Sequence, residues 1–372
     1  MIVQDLEAKR GRSMGKMRRN TAIIAGVMGV FGCAQQDLPT PQYAGEQCRR
    51  VVLIDAESGD HLRGVEDIEI DRQSGRLYLS AYDRRAVEKA ARNRASSLPQ
   101  GGIYAVSLDD VFDADEASVL AAPLIAPGDI AGGLRPHGLS FDAKNHELVF
   151  INRTYQRMND RWIETPRLQR IGANGEMFVG AVQDSPCSAN DVLVTEQQIF
   201  TSFDHGACNW RGQIEEIFNL KRSGLASNHS GTVFNEAAFA NGLTRTRDGN
   251  IVLAATREKA LLFMSERSNG VETASRIEVP GGPDNLSISY DGGVVAATHQ
   301  NLLRLALNRK LGIGKAPSRI IKANPKTGAV DILLNDPSGA LFSAATIAVE
   351  TPRGLVAGSV TDKGVLVCDS AR

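Results

Sequence analysis

One short unit recurs six times along this chain of 372 residues, and the repetition limits its folds more than any other feature. Each copy has a mostly polar doublet, an alternating strand, a turn built on Gly, Asn or Asp or a close variant, and a second apolar strand. The copies begin roughly 40 to 70 residues apart, near the upper end for propeller-blade repeats. Their doublets are Glu66-Asp67, His137-Gly138, Asn190-Asp191, Asn241-Gly242, Asp284-Asn285 and Ala345-Thr346.

The segments between the copies complete the predicted fold. Short apolar stretches such as 102–107 and 259–265 lie between successive doublets. Four strands in each of six copies predict an all-β chain, a six-bladed β-propeller with four-stranded blades. The 36 glycines suit the many tight turns that such a fold needs. The alternative is an irregular all-β domain whose repeats are similar by chance.

Residues 1–33 have the pattern of an export signal. A basic patch with Lys16, Arg18 and Arg19 precedes an apolar stretch over 21–31, which is too short to span a bilayer. Residues 30–33 resemble the lipobox of bacterial lipoproteins, in which Cys33 would carry the lipid; an ordinary signal peptide cut nearby is the alternative. We therefore expect a signal over 1–33, a tether over 34–47 and the folded domain over 48–372.

The leader and the overall charge predict where the protein resides and what it binds. Lipid on Cys33 would anchor an exported protein in the bacterial cell envelope, facing the periplasm or the outside, so a membrane is one expected partner. The 42 Lys and Arg residues and the 43 Asp and Glu residues nearly cancel, whereas nucleic-acid binders usually have a basic excess. We therefore expect no nucleic-acid partner.

Export also changes the interpretation of the five cysteines. If Cys33 carries lipid, four cysteines remain in an oxidising compartment, where disulfides form. A bridge between Cys48 and Cys368 would join the two ends of the domain, and Cys187 and Cys208 would then close a short local loop. The sequence alone leaves the other pairings open.

The polar doublets predict a metal site on the propeller axis. The first strand of each blade is innermost, so the residues that open these strands face the central channel. Crowded carboxylates repel each other unless a cation lies among them, and an array of oxygen ligands favours calcium over zinc. For any single doublet, a hydrogen bond at a turn or strand start is the alternative. The oxygen-bearing doublet residues are Glu66, Asp67, Asn190, Asp191, Asn241, Asp284 and Asn285.

Taken in order, these motifs resemble the paraoxonase/arylesterase family. That family belongs to a wider group of calcium-dependent six-bladed propellers that includes the gluconolactonases. The resemblance covers about residues 48–370 and includes the terminal cysteines. The matching motifs are Gly64-Val65-Glu66-Asp67, Pro136-His137-Gly138, Asn190-Asp191-Val192, Asp204-His205, Ala240-Asn241-Gly242 and Pro283-Asp284-Asn285-Leu286-Ser287.

The resemblance implies two calcium ions and roles for positions of this chain. His137 would activate water above a catalytic ion, Asp204 and His205 would lie in the same region, and Phe239 would line the substrate pocket. The ligands of the catalytic calcium would be Glu66, Asn190, Asn241, Asp284 and Asn285. Those of a deeper, structural calcium would be Asp67, Asp191 and the backbone carbonyl of Leu139.

One departure from the family pattern concerns the catalytic base. In the family, a second histidine often follows an apolar strand that ends in Asn and supports the first, and here Arg153 stands at that position. A guanidinium stays charged and would lower the basicity of His137. Asp204-His205 or a calcium-bound water are then the alternative sources of the base. Arg153 itself is expected to bind an anionic group of the substrate or to steady the oxyanion.

Three inserted segments are expected to shape the substrate site on one face of the propeller. Residues 81–99 predict a short basic helix whose charges form a solvated face, and 154–166 are polar around Trp162. Residues 209–230 fit an amphipathic helix that serves as a lid. Packing of this last segment on a membrane or lipid, as in related enzymes, is the alternative.

Together these features predict an enzyme, a calcium-dependent hydrolase of lactones and aryl esters that acts on a small molecule. Calcium can polarise an ester carbonyl, and an imidazole that titrates near neutrality can take a proton from water. The alternative is a non-catalytic, calcium-stabilised propeller that serves as a binding or scaffold module in the cell envelope.

Overall fold

The computed structural model describes residues 38–114, 118–126, 128, 130–176, 183–267 and 270–370. The expected export signal over 1–33, the acylated Cys33 and residues 34–37 of the expected tether lie outside the described residues. Those expectations therefore stay predictions.

The rest of the expected tether belongs to the fold, which corrects the predicted domain start at residue 48. The compact unit begins at Pro39. Gln42 and Tyr43 donate backbone hydrogen bonds to the carbonyls of Ile332 and Leu333, at 2.9 and 2.8 Å. The Tyr43 side chain is buried against a cluster that includes Leu333 and Phe342. The burial of this aromatic ring holds the segment to the sheet. The sequence did not reveal it, because the residues around Tyr43 are mostly polar or proline and are typical of a tether.

Strands dominate the described residues, as the repeats predict. The first twelve are β1 (Cys48–Asp55), β2 (Val65–Asp71), β3 (Arg76–Ala81), β4 (Gly102–Ser107), β5 (Ser118–Pro123), β6 (Pro136–Asp142), β7 (Glu147–Met158), β8 (Arg161–Gly172), β9 (Gln183–Asp184), β10 (Ala189–Val194), β11 (Ile199–Phe203) and β12 (Ser223–Ser227). The others are β13 (Gly231–Ala237), β14 (Ala240–Arg245), β15 (Ile251–Ala255), β16 (Ala260–Arg267), β17 (Gly270–Glu278), β18 (Gly282–Ile288), β19 (Val294–His299), β20 (Ser318–Ala323), β21 (Val330–Asp336), β22 (Ala345–Thr351), β23 (Gly354–Ser359) and β24 (Val365–Asp369).

These strands assemble in groups of four. Four separate sheets have the orders β6-β7-β8-β9, β10-β11-β12-β13, β14-β15-β16-β17 and β18-β19-β20-β21. A fifth, eight-stranded sheet has the order β2-β3-β4-β5-β1-β24-β23-β22, so it contains a group of four from each end of the chain. Within each group, successive strands are hydrogen-bonded neighbours in the manner of propeller blades.

The first strands of the groups surround one axis. The strands β2, β6, β10, β14, β18 and β22 contact one another in that order, and β22 returns to β2. Apolar side chains fill the space between neighbouring sheets, as where Leu193 and Phe200 of one sheet pack with Leu253 and Leu262 of the next. A closed circle of radial sheets with cores between them is a β-propeller arrangement.

The turns of the repeated hairpins explain why the repeats fold this way. Asp71 and Asp142, at the ends of β2 and β6, each accept backbone N–H groups from residues two and three positions ahead. Thr195 plays the same part after β10, where its hydroxyl accepts from the Gln198 amide at 3.1 Å. Such side-chain caps favour a tight turn between an alternating strand and its partner.

The described residues contain four α-helices, α1 (Arg84–Arg92), α2 (Leu108–Asp113), α3 (Trp210–Ile217) and α4 (Leu302–Leu311). Asp83, Ser107, Asn209 and Asn301 cap their N-termini through side-chain oxygens.

The helix predicted within 81–99 is confirmed as α1. The helix predicted within 209–230 is confined to α3, because Ser223–Ser227 enters a sheet as β12. The segment 154–166 extends the β7–β8 hairpin. None of the described helices is long and apolar enough to span a membrane.

The two ends of the domain meet in the eight-stranded sheet. β1 pairs antiparallel with β24, with Cys48 opposite Cys368, and its second half pairs parallel with β5. The disulfide Cys48–Cys368 joins the pair across a sequence separation of 320 residues. The second disulfide, Cys187–Cys208, closes a separation of 21 residues. Both expected pairings are therefore confirmed, and the first locks the seam at which the circle of sheets closes.

Removing the seam disulfide should destabilise the protein. Because the bond restricts the unfolded chain over 320 residues, we expect Cys48→Ser/Cys368→Ser to lower the free energy of unfolding by about 2–4 kcal/mol in a denaturant titration.

The matched control is Cys187→Ser/Cys208→Ser, which removes a bond that closes a much shorter loop and should cost less. Equal midpoints for the wild type and the seam variant would show that strand pairing alone holds the ends together.

Candidate active site

All six doublets lie at irregular points near the start of the first strands. Each first strand shifts its register against its partner there, between Val65 and Asp67 in β2 and between Pro136 and Leu139 in β6. The same shift occurs in the other four first strands, β10, β14, β18 and β22. Such bulges redirect side chains, and here they turn the doublet residues of six strands toward one end of the axis.

The second residues of the doublets connect neighbouring first strands. Asp67 accepts the backbone N–H of Leu139 at 2.8 Å, and Asp191 accepts that of Leu243 at 2.6 Å. Asn285 closes the circle by donating its side-chain amide to the Glu66 carbonyl at 2.9 Å. These side chains therefore fix the spacing of the first strands as well as lying on the axis.

Two glycines allow the first strands to approach closely. A Cβ on Gly138 would collide with the backbone and side chain of Asp191 and lie 2.6 Å from the Asn190 carbonyl. A Cβ on Gly242 would lie 2.6 Å from the Asn285 Cα and also collide with the Asp284 carbonyl. The alternation of acidic or amide residues with glycine thus has a steric cause.

One cavity collects most of the first residues of the doublets. Glu66, His137, Asn190, Asn241 and Asp284 all line it and all are buried. Asn285 does not line the cavity, since its amide is turned to the Glu66 backbone. Four of the five residues expected around a catalytic calcium therefore share a cavity with the expected base, whereas the expected structural ligands Asp67, Asp191 and Leu139 lie outside its lining.

Glu66 and His137 form a buried pair. The Nδ1 atom of His137 contacts Oε2 of Glu66, and Arg84 lies 3.7 Å from the same oxygen. Burial would raise the pKa of Glu66, but His137, Arg84 and Arg153 lower it to about 2. Burial, and next Arg153, lower the pKa of His137 to about 4 against the pull of Glu66. The carboxylate is therefore charged and the imidazole neutral at neutral pH.

A second acid–imidazole pair faces the same cavity. His299 Nε2 lies 2.6 Å from Asp284 Oδ2, and the side-chain amide of Asn241 donates to Asp284 Oδ1 at 2.5 Å. His299 ends β19, directly opposite Gly282 at the start of β18. His299 follows Thr298, which lies opposite Pro283, just as Arg153 follows Asn152, which lies opposite Pro136. The position is therefore the fifth-group counterpart of Arg153.

Two further carboxylates of the first strands are buried outside the cavity lining. Burial raises the pKa of Asp67 to about 7, against two backbone N–H donors, and the nearby carboxylates of Glu66 and Asp284 raise it further. Burial and the charge of Asp67 raise the pKa of Asp191 well above its usual value. Such a pair resists ionisation unless positive charge lies beside it.

The donor atoms of the cavity fit a hard cation. Oδ1 of Asn241 is buried without a hydrogen-bond partner among the described residues, whereas the buried Oε2 of Glu66 has His137 Nδ1 and, at 3.7 Å, Arg84 beside it. A buried oxygen without a donor is costly, and calcium is held by carboxylate, amide and backbone oxygens. Within the described residues, no group of three or more His, Cys, Asp or Glu side chains is arranged to hold a metal ion. The expected ligands of the catalytic calcium therefore number more than two only when the asparagine side-chain oxygens are counted with the carboxylates.

Asp204 and His205 are brought beside the cavity by α3. Asp204 lines it, whereas His205 does not, and His205 Nε2 lies 3.4 Å from Asp204 Oδ1. Glu215 of α3 accepts the Gly206 amide at 2.8 Å, and the missing side chain at Gly212 makes room for the His205 ring. Burial raises the pKa of Asp204.

Arg153 and Phe239 occupy different surroundings. Arg153 is buried, pairs with Glu164 at 2.5 Å and is not among the cavity-lining residues that the structure describes. After burial, Arg153 is the second-largest cause of the lowered pKa of His137, which is the effect that the sequence predicts. The ion pair of its guanidinium, however, is with Glu164 of the β7–β8 hairpin. Phe239 lines the cavity as expected, with a φ of 61° that few residues other than glycine adopt.

Several lining residues were not foreseen from the sequence. They are His299, Arg84, Arg257 and, on α4, Leu302, Leu305 and Arg309. The α4 segment carries a signal that could have found it, because Asn301 and Gly312 are a standard helix start and stop around an apolar and basic stretch. His299 could also have been found from the sequence, because it ends the second strand of a repeat, opposite the start of the strand that carries the Asp284-Asn285 doublet.

Comparisons with known proteins give distant structural neighbours. No protein-family model matches the chain, and no curated protein matches its sequence. A gluconolactonase from Xanthomonas campestris is 14% identical, with 90% of this chain and 97% of that one covered and a TM-score of 0.47. A structure described as a candidate gluconolactonase is 15% identical, with 87% of this chain and 94% of that one covered and a TM-score of 0.48. A virginiamycin B lyase from Staphylococcus aureus is 8% identical, with 86% of this chain and 99% of that one covered and a TM-score of 0.45. Similarities this distant leave the function to be argued from the site.

A methyl group at Gly138 should disrupt the packing of the first strands. We expect Gly138→Ala to lower the free energy of unfolding by about 1–3 kcal/mol or more, because its Cβ meets backbone atoms that have no room to move. Chemical denaturation measures this.

The matched control is Gly45→Ala, where a Cβ has nothing within 4 Å and stability should hardly change. Equal losses in both variants would mean that the close approach at Gly138 is not what limits this position.

Proposed function

We propose that the protein is a six-bladed propeller that hydrolyses lactones and aryl esters with calcium, as the resemblance to the paraoxonase/arylesterase family implies. The observation that carries the proposal is the cavity in which the buried, unpartnered Oδ1 of Asn241 lies with the charged carboxylate of Glu66 and a neutral His137. In this proposal the eight-stranded sheet is two blades joined at β1 and β5, and with the four separate sheets it makes six.

The cavity residues have distinct parts in this proposal. Glu66, Asn190, Asn241 and Asp284 would hold the ion, and Asn285 supports it by fixing the Glu66 backbone. Bound calcium would polarise the ester carbonyl and offset the negative charge that develops on its oxygen. These oxygen ligands would come from four first strands, β2, β10, β14 and β18.

His137 is the proposed base. A neutral imidazole whose Nδ1 faces a carboxylate carries its proton there, which leaves Nε2 free to accept a proton from water. The low pKa of His137 keeps it unprotonated at neutral pH but also makes it a weaker base than a free imidazole. His299 and Asp204-His205 are the other groups that could accept the proton.

A second calcium ion and an envelope location complete the proposal. The raised pKa values of Asp67 and Asp191, which burial causes, would fall beside a cation that also takes the Leu139 carbonyl. Acylation at Cys33 would hold the protein at the membrane of the cell envelope, where both disulfides persist.

Initial rates on phenyl acetate and on γ- and δ-lactones, with calcium and after chelation, test the proposal. Calorimetric titration of the chelated protein with calcium gives the ion stoichiometry, for which we expect two. Calcium-dependent turnover that is faster on lactones would support the hydrolase. A folded protein that binds calcium without turnover would instead support the non-catalytic scaffold.

Loss of one amide ligand should separate catalysis from folding. We expect Asn241→Ala to lower kcat/KM for phenyl acetate by at least about a hundredfold, since an oxygen donor on the axis is removed. Circular dichroism should show an intact fold.

The matched control is Asn145→Ala, an exposed asparagine in the turn at the other end of β6, which should keep full activity. Unchanged turnover in the Asn241 variant would remove this asparagine from the proposed calcium site.

Replacing the base should affect turnover more than calcium binding. We expect His137→Gln to lower kcat by about 10²–10⁴-fold, the usual contribution of a general base, while the calorimetric calcium affinity changes far less. If His299→Gln shows the larger loss of kcat, the base belongs to the Asp284 pair.

A further inference from the structure

Two helices that contribute residues to the cavity lining, α1 and α4, are joined by hydrogen bonds. The side chain of Arg85 on α1 donates to the backbone carbonyls of Asn308 and Arg309 at the end of α4, at 2.6 and 3.1 Å. Gly312 ends α4 in a left-handed conformation. The positive charge of Arg85 stabilises the C-terminal carbonyl groups of α4, and its hydrogen bonds fix the position of the last turn of this helix.

One face of α4 lines the cavity. Leu302, Leu305, Ala306 and Arg309 all contribute to the lining, which is the spacing of a single helical face. The apolar members lie in the first two turns and the guanidinium in the last. The face therefore offers a ligand an apolar wall that ends in a positive charge.

The acidic residues of the cavity already have basic partners. Those that line it are Glu66, Asp204, Glu216 and Asp284. Their partners are His137, His205 at 3.4 Å, Arg257 at 3.2 Å and His299 at 2.6 Å, respectively. Arg84 also lies 3.3 Å from Glu88 and 3.7 Å from Glu66. Among the described lining residues, no acidic side chain forms an ion pair with Arg309 or Lys310.

Arg309 lines the cavity with a positive charge that has no acidic partner among the described residues. Its side chain has no ion pair or hydrogen bond with any described residue, and its Nε is buried without a partner. The charge of Arg84, and then burial, lower the pKa of Arg309 from its ordinary value, so the two guanidinium groups are close enough to repel each other. Lys310 lines the same cavity, is exposed and likewise forms no ion pair with the described residues.

We propose that Arg309, with Lys310 beside it, binds a carboxylate carried by the substrate, so that the enzyme prefers esters or lactones with an apolar body and an acidic group. A guanidinium is a planar fork that matches a carboxylate, and a buried donor without a partner gains most from one. A carboxylate there would also relieve the repulsion between Arg84 and Arg309. This inference rests on the proposed hydrolase function for its substrate class but not for the anion site itself.

Two aryl acetates that differ in one group test the inference. We compare kcat/KM for 4-acetoxybenzoate and 4-acetoxybenzamide at low ionic strength, in the wild type and in Arg309→Gln. We expect the acid-to-amide ratio to fall by about tenfold in the variant, mainly through KM for the acid, because one charge-assisted interaction is lost. Arg309→Lys should restore part of the ratio.

The matched control is Lys89→Gln, which removes one exposed positive charge from α1 outside the cavity lining. Its ratio should equal that of the wild type. If Lys89→Gln and Arg309→Gln lower the ratio equally, the effect comes from general surface charge and the anion site is overturned.

Binding separates this inference from the proposed function. Calorimetry with 4-hydroxybenzoate and 4-hydroxybenzamide, which need no turnover, should show tighter binding of the acid in the wild type and about tenfold weaker binding of it in Arg309→Gln. That result without hydrolysis of either ester would support the anion site while the hydrolase proposal fails. Equal affinities for acid and amide in the wild type would overturn the anion site even if both esters are hydrolysed.

Discussion

The pairing of β1 with β24 is the interaction on which the rest of the structure depends. An open row of sheets would expose unpaired strand edges and leave the first strands without a common axis. The antiparallel register at Cys48 and Cys368, and the parallel contact of β1 with β5, join the last group of strands to the first. Only then do residues as distant in sequence as Glu66 and Thr346 meet, where the Thr346 hydroxyl donates to the Glu66 carbonyl at 2.8 Å.

Closure concentrates acidic side chains, and two kinds of contact stabilise them. Outside the cavity lining, Asp67 and Asp191 accept backbone N–H groups from neighbouring first strands, and glycines make that approach possible. Within the lining, Glu66 and Asp284 each face a histidine. The unpartnered oxygen of Asn241 remains, and with the charged carboxylate of Glu66 it is the physical reason for proposing a cation here.

The repeat pattern predicted the hairpins and, with the family resemblance, most of the residues that gather in the cavity, because both depend on local motifs that recur along the chain. The two disulfides were predicted separately, from the positions of the four cysteines expected in an oxidising compartment. His299 and Arg309 were missed for a different reason. His299 lies at the end of a second strand, outside the doublets on which the prediction relied, and Arg309 lies on a helix inserted between β19 and β20. Arg153 was placed correctly beside His137 in its effect on the pKa, but its pairing with Glu164 depends on how the β7–β8 hairpin extends.

The sequence by itself determined the all-β repeat, the positions of the turns and the chemical character of the axis. Alternation, turn residues and doublets are short-range features, so they can be interpreted without knowing how the chain closes. The tertiary structure alone decided which charges are paired. Glu216 meets Arg257, and Arg309 pairs with no acid among the described residues, because these side chains lie on segments inserted between strands of different sheets, and such segments meet only when the sheets pack together.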